Sequence, residues 1–261
     1  MLPESDAILI FRFSEYRWIK SFIDGNLNFS CAGNYIHQAK NTDNDIQGDE
    51  KEAVFARLKT GDSKIEDYKG LLGNDLELIP DGDFVLLRRK SAKLKPIFCF
   101  YRYLVKDANE EGNFKKEGYA DVTHVFDERI FSGFSGTAGR INGLNEDRQP
   151  TSVAIRVKPF TDRVKFAMAA NGYGHEMHSV NYELFKNETF EVPLTDKYDE
   201  LFYKFPKYEY QHEGRILLKD MKLEHFYDRL NIKIKEFDED DYRMAQEPFE
   251  FTVRVKVGRI K

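Results

Sequence analysis

The sequence predicts an α+β fold, with a predominantly antiparallel sheet and a few short helices. Three observations predict it. Aromatic residues make up 14% of the 261 residues, with 22 Phe and 14 Tyr, a composition that suits strands. Many segments alternate polar and apolar side chains or run apolar for a few residues between Asp, Gly and Pro, the pattern of short strands. No Pro/Gly/Ser-rich linker divides the chain, so residues 1–261 read as a single domain.

Taken in order, Ala7 to Phe13 (AILIFRF) is a buried strand, and Ser14 stands where an N-cap would for a helix in EYRWIKSFIDG. Tyr16, Ile19, Phe22 and Ile23 recur at helical spacing, and Gly25 supplies the stop. Asn26 to Ser30 is a short second strand, and residues 31–48 are a polar, irregular loop. Helical segments follow around Glu50 to Leu58 and Ser63 to Leu72, then strands in LELIP, FVLLRR and PIFCFYRYLV. EGYADVTHVF is strand-like, and the glycines of FSGFSGTAGRINGL mark a loop. Thr151 to Phe160 is a strand and TDRVKFAMAANG a helix capped near Thr161 or Asp162. MHSVNYEL, YEYQHEGRILL and FEFTVRVKVG read as strands, DELFYKFP as a strand-like stretch, MKLEHFYDRLNIKIKEF as partly helical, and Asp238 to Asp241 as a solvated acidic turn.

A net charge of −5 argues against a surface given over to nucleic acid. Cys31 and Cys99 sit in apolar surroundings without CxxC spacing and read as reduced, buried hydrophobes. The N-terminus carries acids where a signal peptide would be positive, and no apolar run approaches membrane length, so a soluble, cytoplasmic protein without a membrane partner is expected.

Several stretches carry candidate chemistry. The Gly-rich loop from Phe131 matches neither phosphate-binding fingerprint and reads as a surface loop. His175 and His178 fall one residue short of HExxH spacing, and no thiolate or carboxylate set joins them, so no metal is expected. Arg88, Arg89, Lys90, Lys93 and Lys95 read first as a solvated hairpin and second as an anion- or nucleic-acid-binding tip. In YEYQHEGRILL an extended chain puts Glu209, Gln211, Glu213 and Arg215 on one face. That face either meets water, with Glu213 and Arg215 neutralising each other, or lines a site.

Two resemblances bear on that choice. Phe11-Arg12-Phe13, the helix Trp18 to Phe22, Gly25-Asn26-Leu27-Asn28-Phe29, Gly48-Asp49-Glu50, Phe202 to Lys204 and Tyr208 to Ile216 resemble, in order, elements of a widespread, largely uncharacterised bacterial and prophage family. More loosely, an early-strand Arg12, the Ser132/Ser135/Thr137 segment and Gln211-His212-Glu213 resemble the Arg-Ser-Glu class of ADP-ribosyltransferases. This second resemblance implies a split sheet that binds NAD. Glu213 would be the catalytic acid side chain, Gln211 would position the acceptor, and Arg12, with Ser14 and Ser135, would hold the cofactor. It implies transfer of ADP-ribose to a macromolecule, protein or nucleic acid, in phage–host conflict. Two further readings stay open: a non-enzymatic interaction or regulatory protein of phage defence or counter-defence, with Arg12, Glu213 and Arg215 in an internal polar network, and a nucleic-acid binder or nuclease. The oligomeric state is not legible.

Overall fold

The computed structural model describes residues 7–42, 48–104, 118–130, 145–245 and 250–257. The first half of the chain runs β1 (Ala7–Glu15), α1 (Tyr16–Ile23), β2 (Asn26–Cys31), α2 (Ala32–Thr42), β3 (Val54–Lys59), α3 (Lys64–Leu72), β4 (Leu76–Asp81), β5 (Phe84–Arg89), β6 (Pro96–Leu104) and β7 (Gly118–Val125). There follow β8 (Pro150–Arg156), α4 (Val157–Asn171), β9 (His175–Ser179), β10 (Phe190–Glu191), β11 (Glu213–Leu218), β12 (Leu230–Lys233), β13 (Tyr242–Ala245) and β14 (Glu250–Val257). The fold is α+β, and the strand registers of β1 with β6 and β8, of β3 with β5, and of β9 with β11 are all antiparallel.

The chain divides into two compact units. The first is built from Leu27–Cys99 and Met168–Ile232, the second from the segments up to Asn26, Phe100–Ala167 and Lys233 onward, so β6 gives its first half to one and its second half to the other.

In the first unit a four-stranded sheet runs β10-β3-β5-β4. Its ladders pair Phe190 with Arg57, Ala56 with Leu87 and Leu78 with Leu87, and Phe55, Leu58, Ile65, Leu76, Leu87 and Val192 bury a common core with α3. A further set of strands joins β2 to the start of β6 through Ser30 and Ile97, with β11 beside β6 and β9 beside β11. A second core of Ala32, Ala53, Ala92, Ile97, Leu201, Phe202 and Leu217 lies against these strands.

In the second unit β1 lies between β6 and β8, pairing Phe11 with both Tyr101 and Ala154, and β13 continues from β8. Alternation gives this sheet two characters. The face carrying Ile10, Arg12, Phe100 and Arg102 meets the helices, where Phe160 of α4 packs against Phe100 at 5.4 Å and Phe22 of α1 at 6.3 Å. The other carries Phe11, Phe13 and Tyr101, which meet Phe126 edge-on at 4.9, 5.0 and 5.3 Å.

Several segments differ from the sequence reading, each for a tertiary reason. Residues 31–48 were expected to be irregular, yet α2 occupies Ala32–Thr42, because Ala32, Ile36 and Ala39 recur at helical spacing and are buried in spite of polar neighbours. Glu50 to Leu58 is a turn followed by β3 and not a helix: Val54, Ala56 and Leu58 find partners on β5. Ser14 is no cap, because β1 runs to Glu15 before α1 begins. Helix α4 starts at Val157, four residues before the expected cap at Thr161. No helix lies in 221–237, where Leu223, Ile232 and Ile234 are buried from an extended path. The acidic turn is not solvated throughout, since Asp241 is buried and accepts from Arg156 at 2.6 Å and Arg163 at 2.7 Å. Nor are the 88–95 cations a solvated hairpin: Arg88, Arg89 and Lys95 are buried, with Arg89 in a two-pronged pair with Glu200 at 2.6 Å on each prong.

Candidate functional site

The stretch YEYQHEGRILL is not one strand. Pro206 opens a 3₁₀ turn that runs to Gln211, His212 takes left-handed backbone (φ 40°), and only then does β11 begin. A proline at the start of a helical turn suits its fixed φ, and the left-handed residue ends the turn and redirects the chain. Glu209 therefore leaves the expected row and is exposed, while Glu213 and Arg215 share one face of β11 in the interior of the first unit.

Around those two residues a buried charged cluster assembles. The Arg215 Nε donates to Glu213 Oε1 at 2.6 Å, and its Nη1 and Nη2 donate to Glu52 Oε1 and Oε2 at 2.5 and 3.0 Å. The Lys204 Nζ donates to Glu213 Oε2 at 2.8 Å and to Gln211 Oε1 at 2.8 Å. Arg215 also donates to the Leu201 carbonyl, and the Glu213 amide donates to the Tyr182 hydroxyl at 3.2 Å. Tyr208 donates to the Gly48 carbonyl at 3.1 Å, bringing the turn that carries Asp49 and Glu52 to the same place. Glu52 and Arg215 are each 1% exposed and Glu213 6%, so these pairs act with little screening by solvent.

The electrostatics sort the cluster into two kinds of group. Burial pushes the Glu213 carboxyl up, but the Arg215 and Lys204 charges outweigh it and hold the group far below the usual carboxylate range. Burial opposes the charge on Lys204 too, and Glu213 and Glu52 overcome it, so the ammonium is held far above its ordinary value. Arg215 is raised in the same way by Glu213 and Glu52. Burial, with Glu213 alongside, pushes the Cys99 thiol up to about 12. A group that moves a proton in a reaction needs a pKa near the working pH, and these are driven away from it. Asp49 alone goes the other way: burial and the neighbouring Glu52 raise its carboxyl to about 6, with Lys204 opposing.

The structure brings Gln211 and Glu213 together, though through the Lys204 ammonium and not through a shared strand face. Arg12 and Ser14 are half-buried in β1 of the second unit, and Ser135, with Ser132 and Thr137, lies outside the described residues. His175 and His178 fall three apart on β9 and so point to opposite faces. Neither Glu52 nor the part Lys204 plays in the cluster is legible in the sequence motifs. The one signal for Glu52 was its place three residues after Asp49 in GDEKE. No protein-family model, no curated protein and no solved structure matches the chain. Among the described residues no group of three or more His, Cys, Asp or Glu side chains is placed to hold a metal ion, and no helix is long and apolar enough to cross a membrane.

Proposed function

We propose that this chain is a non-enzymatic interaction or regulatory protein in which Glu213 is a structural residue, the resemblance to bacterial and prophage chains supplying a setting of phage defence or counter-defence. One observation carries the reading. Both carboxylate oxygens of Glu213 are engaged by buried cations, Arg215 at 2.6 Å and Lys204 at 2.8 Å. A transferase glutamate must offer an oxygen to the ribose as positive charge develops on the sugar, and this one would first have to leave two buried partners. The amide oxygen of Gln211, which would orient the acceptor, is likewise held by Lys204. A nucleic-acid reading has little to draw on, since Arg88, Arg89 and Lys95 are turned inward. Exposed Trp18 on α1 and Phe166 on α4 are side chains of the type that anchor protein contacts, which favours a protein as the macromolecular partner.

The test uses NAD and the Glu213→Gln variant. Purified protein is expected to release no nicotinamide above the buffer rate, and E213Q to lower the melting temperature. Nicotinamide release or ADP-ribose transfer that disappears in E213Q, with melting unchanged, would restore the NAD reading and overturn this one.

A further inference from the structure

The turn between α2 and β3 is held from several sides. A side chain at Gly48 would bring its Cβ within 2.3 Å of the Ala39 backbone nitrogen, so only glycine fits against α2. Tyr208 holds the Gly48 carbonyl, the Arg88 guanidinium donates to the Glu50 carbonyl, and Arg215 clamps Glu52. Ala53 closes the turn in left-handed backbone (φ 61°), a conformation that a non-glycine residue keeps only where its surroundings impose it. Inside this frame Asp49 is 3% exposed. Its Oδ1 accepts the Lys51 amide at 2.9 Å, and its Oδ2 has no hydrogen-bond partner among the described residues.

The charges facing Asp49 do not match it with a cation of its own. Glu52, on the same turn, repels it; Lys204 and Lys207 attract it from the segment before β11; Arg88 of β5 is also near enough to feel its charge. Lys204 is already engaged by Glu213 and Gln211, Lys207 is exposed, and Arg88 contacts Glu77 at 3.5 Å. The ionised carboxylate is thus buried, half-unpartnered and beside another acid, and a single proton removes the charge that all three features penalise.

We propose that the Gly48–Ala53 turn is a proton-operated latch, seated while Asp49 is protonated and loosened when it ionises. The latch does not depend on the structural role assigned to Glu213. The raised carboxyl, about 6 against 3.8, sets the direction. A seated turn holds a proton that a released turn has already lost, so the extra hold is fully present below pH 3.8 and is lost as pH rises through about 6. Between pH 5 and pH 8 the seated-to-released ratio falls roughly tenfold. Glu213, whose carboxyl is held low, works in the opposite sense at more acid pH, outside that window.

Hydrogen exchange at the Lys51 and Glu52 amides, corrected for the intrinsic pH dependence of exchange, reads the latch directly. Opening is expected to be roughly tenfold more frequent at pH 8 than at pH 5 in the wild type and in the exposed control Glu50→Gln, and pH-independent in Asp49→Asn. A flat wild-type profile, or the same slope in D49N, would overturn the proposal. Carbon-13 titration of the wild-type Asp49 carboxyl decides the matter without any variant: a midpoint near 6 supports the latch, and one below 4.5 sinks it.

Discussion

The charged cluster of the first unit and the aromatic layer of the second bury large side chains by opposite means. In the aromatic layer Phe11 and Phe13 stack nearly parallel at 6.2 Å, and Phe126 meets both edge-on, so each ring has several neighbours and none depends on a single atom. In the cluster the contacts are directed from particular nitrogens to particular oxygens: Arg215 to Glu213 Oε1, Lys204 to Glu213 Oε2, and the two terminal nitrogens of Arg215 to Glu52. Dispersion between rings degrades gradually when a shape changes. A buried ion network fails when one member is lost, because the remaining charges keep their desolvation cost.

Arg215→Ala is the hardest blow to the comparison. It leaves Glu52 and Glu213 both buried without their guanidinium partner, and urea unfolding should show a loss of about 3–5 kcal/mol. A loss under about 1 kcal/mol would mean that water reaches the cluster and screens its ion pairs. Phe126→Leu keeps an apolar body in the aromatic layer but loses the edge contacts to Phe11, Phe13 and Tyr101. Its cost by the same measurement should be about 1–1.5 kcal/mol, and a value equal to that of R215A would erase the distinction between the regions. Asp127→Asn removes the exposed Arg129 pair (2.6 Å) and should change stability by less than about 0.5 kcal/mol, the baseline for a charge contact outside either region.

The strands that carry their own pattern were legible without a structure. AILIFRF, LELIP, FVLLRR and PIFCFYRYL are strands in the fold, and the stop at Gly25 is a real left-handed glycine (φ 89°). The elements that escaped were those whose pattern is weak alone. Helix α2 has only a thin apolar stripe, β3 gains its conformation from β5, and the short β12 and β13 exist by pairing with β2 and β8. Strand propensity depends on neighbours that the local sequence does not contain. At the candidate site Glu213 and Gln211 stood out by type and spacing. The 3₁₀ turn that takes Gln211 out of the strand did not, because Pro206 and left-handed His212 interrupt a segment whose alternation reads as continuous.

By itself the sequence determined an α+β class, the row of short strands, and the sharing of one strand face by Glu213 and Arg215, since these follow from local periodicity. Only the tertiary structure decided what that acid faces. Glu52 lies 163 residues from Arg215 in the chain, yet the two are joined by paired hydrogen bonds in the interior. The charge state and the availability of a carboxylate depend on burial and on the cations beside it, and both are set by contacts that no stretch of sequence around Glu213 encodes.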